Sequence, residues 1–239
     1  MTVMRLAVQR AAQDAKRQLV QAAAKVLGDR ADRLTLKNGK VHARSGQGVP
    51  YSKIIADYFG SRAGEIIGKG IYRDKKSKKA VLGSPTTFWE VGWGGAEVEV
   101  DPNTGVIKIL KYVSVADVGK AIHPIQCEGQ DEGGVVFGLG HTLYEEMLYE
   151  DGQLLNPNFI DYRVPTFERL PKEFSSFLIE NGNGPGPFGS KGMGEGGLLP
   201  VASAIANAVS KAIGIRFYDL PLTPVKVWRA LQQKKVQVV

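Results

Sequence analysis

Cysteine is almost absent: Cys127 is the single thiol in 239 residues. One thiol closes no internal disulfide and builds neither a four-thiolate iron–sulfur site nor a zinc ribbon. Histidine is nearly as scarce, and His42, His123 and His141 show no HExxH or similar spacing. A protein-ligated metal is therefore not expected. Any redox metal would have to arrive already ligated by a cofactor, with iron–sulfur centres on another chain. No run of about eighteen apolar residues is present, so no membrane-spanning helix is expected. Met1 to Arg10 lacks the apolar core of a secretory signal. The default expectation is a soluble cytoplasmic protein.

Hydrophobic residues make up 43% of the chain, enough for one large core or two small ones. The net charge of +7 is unevenly spread. Residues 1–80 hold eighteen Lys/Arg against six Asp/Glu, and the remainder is acidic. The densest stretch is Arg73-Asp74-Lys75-Lys76-Ser77-Lys78-Lys79. Such a run can mark a nucleic-acid surface. No aromatic interleaving or binding motif accompanies it, so a solvated loop or a face toward an acidic partner is the favoured reading.

Periodicity predicts an amphipathic helix over Ala7 to Leu27, closed by Gly28. A short hairpin is expected over Leu34 to Val41, turning at Asn38-Gly39. Tyr51 to Tyr58 reads as a helix. Gly60 to Ser84 reads as basic loop with a strand at Glu65-Ile66-Ile67-Gly68. A composition change near Gly83-Ser84-Pro85 divides an N-terminal helix plus basic loop-rich region, residues 1–84, from residues 85–239. Glu97 to Asp101 and Val106 to Val113 alternate around Pro102-Asn103-Thr104-Gly105, an antiparallel hairpin. Gln126 to Tyr149 reads as a helix despite five glycines, each disfavoured there by about 1 kcal/mol relative to alanine. That implies close approach by a backbone or a ligand. Phe174 to Glu180 is a strand, Val201 to Ile213 a helix, and Pro224 to Leu231 a short terminal helix. The fold class is α+β, mixing helices with antiparallel hairpins.

The stretch richest in chemistry is Gly189-Ser190-Lys191-Gly192-Met193-Gly194-Glu195-Gly196-Gly197. Eight of the seventeen residues from Asn181 to Gly197 are glycine, and only Lys191 and Glu195 are charged. Glycine exposes backbone N–H groups to a bound group. A helix pattern opened by Pro200 and ended at Gly214 follows at once. A glycine loop feeding a helix start suits an anionic cofactor, and a lone carboxylate inside it is a candidate base. The loop is neither a P-loop nor a dinucleotide fingerprint.

Several separated motifs then agree. Asp117 to Gly134 with Gly138-Leu139-Gly140, Glu97-Val-Glu-Val-Asp101, Asp161-Tyr162-Arg163-Val164-Pro165, the glycine loop, and Leu220-Pro221-Leu222-Thr223-Pro224 resemble the xanthine dehydrogenase/aldehyde oxidase family. The likeness is to the C-terminal portion of its molybdopterin-binding subunit. It implies that Glu195 is the general base and that Gln130 faces the pterin, while Lys191, Gly192, Met193 and Gly194 line the cofactor. It also implies that the metal takes no ligand from the protein. The resemblance further implies a molybdenum-dependent hydroxylase or dehydrogenase. Such an enzyme inserts water-derived oxygen at an aldehyde or N-heterocycle carbon and passes electrons to iron–sulfur and FAD centres on other subunits. The pterin could be the plain form or the cytosine dinucleotide form.

The family's molybdenum subunit is about three times longer than this chain. The resemblance therefore implies a split subunit, working only with a larger molybdopterin-binding partner plus iron–sulfur and flavin subunits, on a small-molecule substrate. The alternatives are a non-catalytic assembly subunit and a basic nucleic-acid-binding module. His123 stands where the family often has asparagine and is assigned no role. Lys191 either binds cofactor or neutralises Glu195. Asp131 and Glu132 are expected to point apart rather than act as a pair. Trp89 and Trp93 are expected in core or interface.

Overall fold

The computed structural model describes residues 2–44, 46, 48–60, 64–73 and 88–237. Two compact units divide the chain, Met1–Thr87 and Phe88–Val239. Residues 74–79 of the basic run and the composition change at 83–85 lie outside the described residues.

In the first unit the helix α1 spans Thr2–Leu27 and ends at Gly28, whose φ of 63° only glycine adopts freely. The hairpin β1 (Thr35–Lys37) and β2 (Lys40–His42) turns at Asn38-Gly39, both at positive φ. That is the backbone a two-residue hairpin loop demands. A short strand β3 (Val49–Pro50) joins β2 and leads into α2 (Tyr51–Phe59). Leu19, Ala22, Ala23, Leu34, Val41 and Ile54 form the core of this unit.

The strand expected at Glu65 to Gly68 does not form. Those residues run extended along α1, and side chains of the helix satisfy their backbone groups. Gln18 Nε2 donates to the Ile67 carbonyl at 2.9 Å, Arg10 donates to the Ile71 carbonyl at 2.6 Å, and the Lys69 N–H donates to Asp14 at 2.9 Å. A side chain thus takes the place of a neighbouring strand, which alternation of residue type cannot foretell.

In the second unit β4 (Gly92–Val100) and β5 (Ile107–Asp117) form the expected hairpin. A bulge opposite Glu97/Val98 leaves Leu110 unpaired and resets the phase of β5. Ile107 and Ile109 precede it on the buried face, and Tyr112, Ser114 and Ala116 follow on the same face. Without the extra residue, Ser114 would turn to the opposite side. The strand β8 (Glu173–Ile179) runs parallel to β5, with Ser114 opposite Ser176.

The helix α3 spans Pro124–Leu143. His123 caps its start by accepting from the Gln126 N–H at 3.3 Å. It stops six residues before the expected Tyr149. The reason is a second hairpin, β6 (Tyr149–Glu150) and β7 (Gln153–Leu154), turning at Asp151-Gly152 with both residues at positive φ. That Asp-Gly pair is the same turn signal read correctly at Asn38-Gly39. The helix α4 (Val201–Ile213) ends at Gly214 in the left-handed conformation, and α5 is Pro224–Gln237. Val135, Leu139 and Leu143 of α3 meet Val201, Ile205 and Val209 of α4 and Ile107, Ile109 and Tyr112 of β5. Among the described residues, no helix is long and apolar enough to cross a membrane.

The glycines of α3 divide into two kinds. A Cβ on Gly138 would lie 2.5 Å from Val201 Cβ, and one on Gly134 would lie 3.1 Å from the Leu198 nitrogen. Gly129 and Gly133 have nothing within 4 Å of such a Cβ and no positive φ. Thermal unfolding of the full chain separates them. Gly138→Ala is expected to lower stability by about 1–3 kcal/mol through overpacking. Gly133→Ala is expected to raise it by up to about 1 kcal/mol through helix propensity.

Candidate functional site

The residues singled out from the sequence gather at one end of the second unit, where the start of α3 meets the glycine loop. Gln130 Nε2 donates to the Gly194 carbonyl at 2.6 Å. The glutamine thus grips the peptide that leads into Glu195. The next turn is closed by the Leu198 N–H donating to the Glu195 carbonyl at 3.1 Å, and α4 starts directly after it. Glu195, Gly194 and Gln130 are all exposed. Gln130 lies beside the loop, bound to it.

The base of the loop is built from backbone contacts that side chains would prevent. The Gly182 N–H donates to the Gly119 carbonyl at 2.6 Å, Gly184 to Gly189 at 2.8 Å, and Lys191 to Val118 at 2.9 Å. Gly189 has φ 82° and Gly119 φ 64°. Phe188, a non-glycine at φ 58°, is held in the left-handed region between them.

Lys191 is engaged elsewhere than at Glu195. Its ammonium lies 2.7 Å from Asp117 Oδ2, the two side chains being 9% and 13% exposed. Asp117 also accepts from the Gly119 N–H at 3.0 Å and from Asn181 Nδ2 at 2.9 Å. Burial alone would raise the Asp117 pKa. The ammonium and the two other donors outweigh it and hold the carboxyl below the ordinary carboxylate range. Met193 packs with Cys127 against Ala116, Val118 and Ala121, so its side chain anchors the loop through apolar contact.

Two carboxylates beneath the loop escaped the sequence reading. Asp131 is 1% exposed, accepting from Ser114 Oγ at 2.9 Å and Ser176 Oγ at 2.6 Å. It follows Gln130 on α3 but points inward, whereas Glu132 points to solvent, as expected of helix neighbours. The paired serines of β5 and β8 were the available signal, legible only once the strands were known to be adjacent. Glu90, just before β4, lies against Gly196. Its pKa is pushed up by burial first and then by the charges of Asp131 and Glu195, against a Gly196 N–H that favours the charged form. Trp89 and Trp93 are largely exposed and outside the core.

A surface stripe completes the site. Ile125, Gly129, Gly133 and Phe137 follow one another at four-residue steps along α3, all exposed, with Ile125 at 75% and Phe137 at 69%. A Cβ on Gly194 would also meet nothing within 4 Å. Among the described residues, nothing in packing or backbone angle requires glycine at these positions. Helix and loop backbone left uncovered by side chains, beside exposed apolar residues, permits close approach of a large flat ligand. Among the described residues, no group of three or more His, Cys, Asp or Glu is placed to hold a metal ion.

Known proteins resemble this chain. A family model described as molybdopterin cofactor-binding domain matches residues 1–171. The nicotine 6-hydroxylase large subunit of Paenarthrobacter nicotinovorans is 44% identical over 137 residues, which is 56% of this chain and 17% of that protein. The gamma subunit of the 6-hydroxypseudooxynicotine dehydrogenase complex of the same organism is 39% identical over 140 residues, 57% of this chain and 18% of that one. The crystal structure of quinoline 2-oxidoreductase from Pseudomonas putida 86 superposes with a TM-score of 0.75 at 26% identity. It covers 94% of this chain and 29% of that one. This chain therefore spans less than a third of the length of each.

The Lys191–Asp117 pair gives a pH signature. A depressed carboxyl contributes stability that is complete above its unfolded pKa and is lost as pH falls through the folded value. Thermal melts taken downward from pH 5 should show that loss, and Asp117→Asn should flatten it. Lys191→Met at neutral pH leaves a shielded carboxylate without its cation and should cost roughly 2–3 kcal/mol.

Proposed function

The chain belongs to the molybdopterin cofactor-binding domain family, and from that premise we propose that it forms one wall of the molybdenum site of a multi-subunit hydroxylase or dehydrogenase. The observation that carries the proposal is the patch of unneeded glycines, Gly129, Gly133 and Gly194, around Gln130, with Glu195 at its edge. When bound, the cofactor supplies the molybdenum that takes two electrons from the substrate.

The residues of this chain have distinct parts in the proposal. Gln130 fixes the Gly194 peptide with one amide hydrogen and has a second to offer the pterin. The stretch from Lys191 to Gly194 presents backbone to the cofactor, while the Lys191 side chain stays on Asp117 and holds the loop in place. Glu195 receives a proton at its carboxylate as oxygen is inserted at an electron-poor carbon of an aldehyde or N-heterocycle. Its exposure supports a reading in which the cofactor and further polypeptide enclose the reacting centre.

The cofactor contacts are proposed to lie in residues 85–239. A larger molybdopterin-binding polypeptide would supply the opposite wall and most of the substrate pocket. Iron–sulfur and flavin subunits would carry the electrons away, as the resemblance implies. The pterin is proposed to be molybdopterin, in plain or cytosine dinucleotide form.

Two measurements on the co-purified complex test this. Glu195→Gln should retain full molybdenum and pterin content while turnover falls by about 10²–10⁴-fold; undiminished turnover would refute the assignment. Gly133→Ala, harmless to the isolated fold, should lower molybdenum and pterin content of the complex. An unaltered content would remove α3 from the cofactor surface.

A further inference from the structure

Glu195 does not stand on a free loop. The two residues after it, Gly196 and Gly197, are buried, and each rests on a carboxyl group from a different element. Gly197 lies on Asp131 of α3, where a Cβ would come within 2.5 Å of Oδ1. Gly196 lies on Glu90, whose carboxyl a Cβ would strike. Val91, next to Glu90, accepts the Asp117 N–H at 2.9 Å, so the backbone carrying Glu90 is itself tied to the end of β5.

The two carboxyls differ in how they are satisfied. Asp131 has both serine hydroxyls and is fully committed to the core. Glu90 is half-buried, and its Oε1 is sealed from solvent with no partner among the described residues. A sealed, unpartnered carboxylate oxygen is unfavourable unless the group carries a proton or a close contact compensates.

We propose that Glu90 is the positioning residue for Glu195: by holding Gly196 from beneath, it fixes the direction in which the Glu195 side chain leaves the backbone. The inference rests on Glu195 acting as the base. The groups that face Glu90 are Asp131 from α3 and Glu195 from the loop, both acidic, and together with burial they favour the neutral form of Glu90. Glutamine has nearly the shape of a carboxyl group and fills the same space against Gly196. Alanine provides no such support.

The test uses the assembled holoenzyme with Glu90→Ala, Glu90→Gln and Gly196→Ala, and Glu195→Gln as reference. Amide hydrogen exchange over residues 194–198 is read beside kcat and KM. Glu90→Ala should speed exchange of the Gly196 amide by about tenfold or more. Its kcat should fall by about 10- to 100-fold with KM within about twofold, as expected when a reacting group is displaced by roughly an ångström. Glu90→Gln should restore both measures. Gly196→Ala should reproduce the alanine phenotype, because its new methyl displaces the Glu90 carboxyl, and should add little in the Glu90→Ala background. Native exchange and kcat in Glu90→Ala would overturn the proposal, as would a glutamine variant no better than alanine. Should Glu90→Ala fail to fold, native exchange in Gly196→Ala would overturn it equally. Failure of the Glu195 assignment is separate: it is read from retained turnover in Glu195→Gln, while the exchange data still report whether Glu90 holds the turn.

Discussion

Residues 197–201 lie against α3 at backbone distance, and the second unit is arranged around that contact. Gly134 admits the Gly197 and Leu198 backbone, Gly138 admits Val201, and Gly197 admits Asp131. Each glycine removes the one atom that would hold the two segments apart. The contact sets where α4 begins and, through the turn from Glu195 to Leu198, where the Glu195 side chain stands. Helix propensity is given up in α3 to obtain it, and the apolar packing of Val135, Leu139, Val201 and Ile205 offsets that loss.

Much of this was legible beforehand. Alternation located the β4–β5 hairpin, Asn-Gly located the first turn, and proline-first with glycine-last located α4. The excess of glycine in α3 correctly implied close approach. What escaped reading was tertiary. The segment at Glu65 to Gly68 has strand-like composition, but the Ile67 carbonyl is taken by Gln18 of a helix, and Lys69 and Ile71 just beyond it by Asp14 and Arg10. Asp131 lies within a motif, but its partners cannot be read from it. Its serines lie seventeen and forty-five positions away and meet only because β8 pairs with β5. Local pattern names candidate residues for chemistry. It does not name those that hold them, because these are defined by contacts between distant elements.

The candidate site is also unevenly furnished. Its supports are finished inside this chain: the Lys191–Asp117 pair is sheltered, each oxygen of Asp131 has a serine hydroxyl, and Met193 is packed. Its outward face is not: Gln130, Gly129, Gly133 and Glu195 are open to solvent beside Ile125 and Phe137. An element whose interior is complete and whose outward face is bare is suited to present groups to something larger. The short share of each relative that this chain matches agrees with that division.

The parallel pairing of β5 with β8 has a consequence for the order of assembly. The β4–β5 hairpin closes over a turn of a few residues, whereas β8 reaches β5 only after the chain from 118 to 172, α3 included, has been folded back. Closing that longer loop is entropically slower. The Ser176 hydroxyl therefore reaches Asp131 after Ser114 can, and the floor of the Glu195 turn is among the last features to be completed. In a nascent chain the turn after Glu195 would lack the Ser176 side of its floor until β8 had emerged.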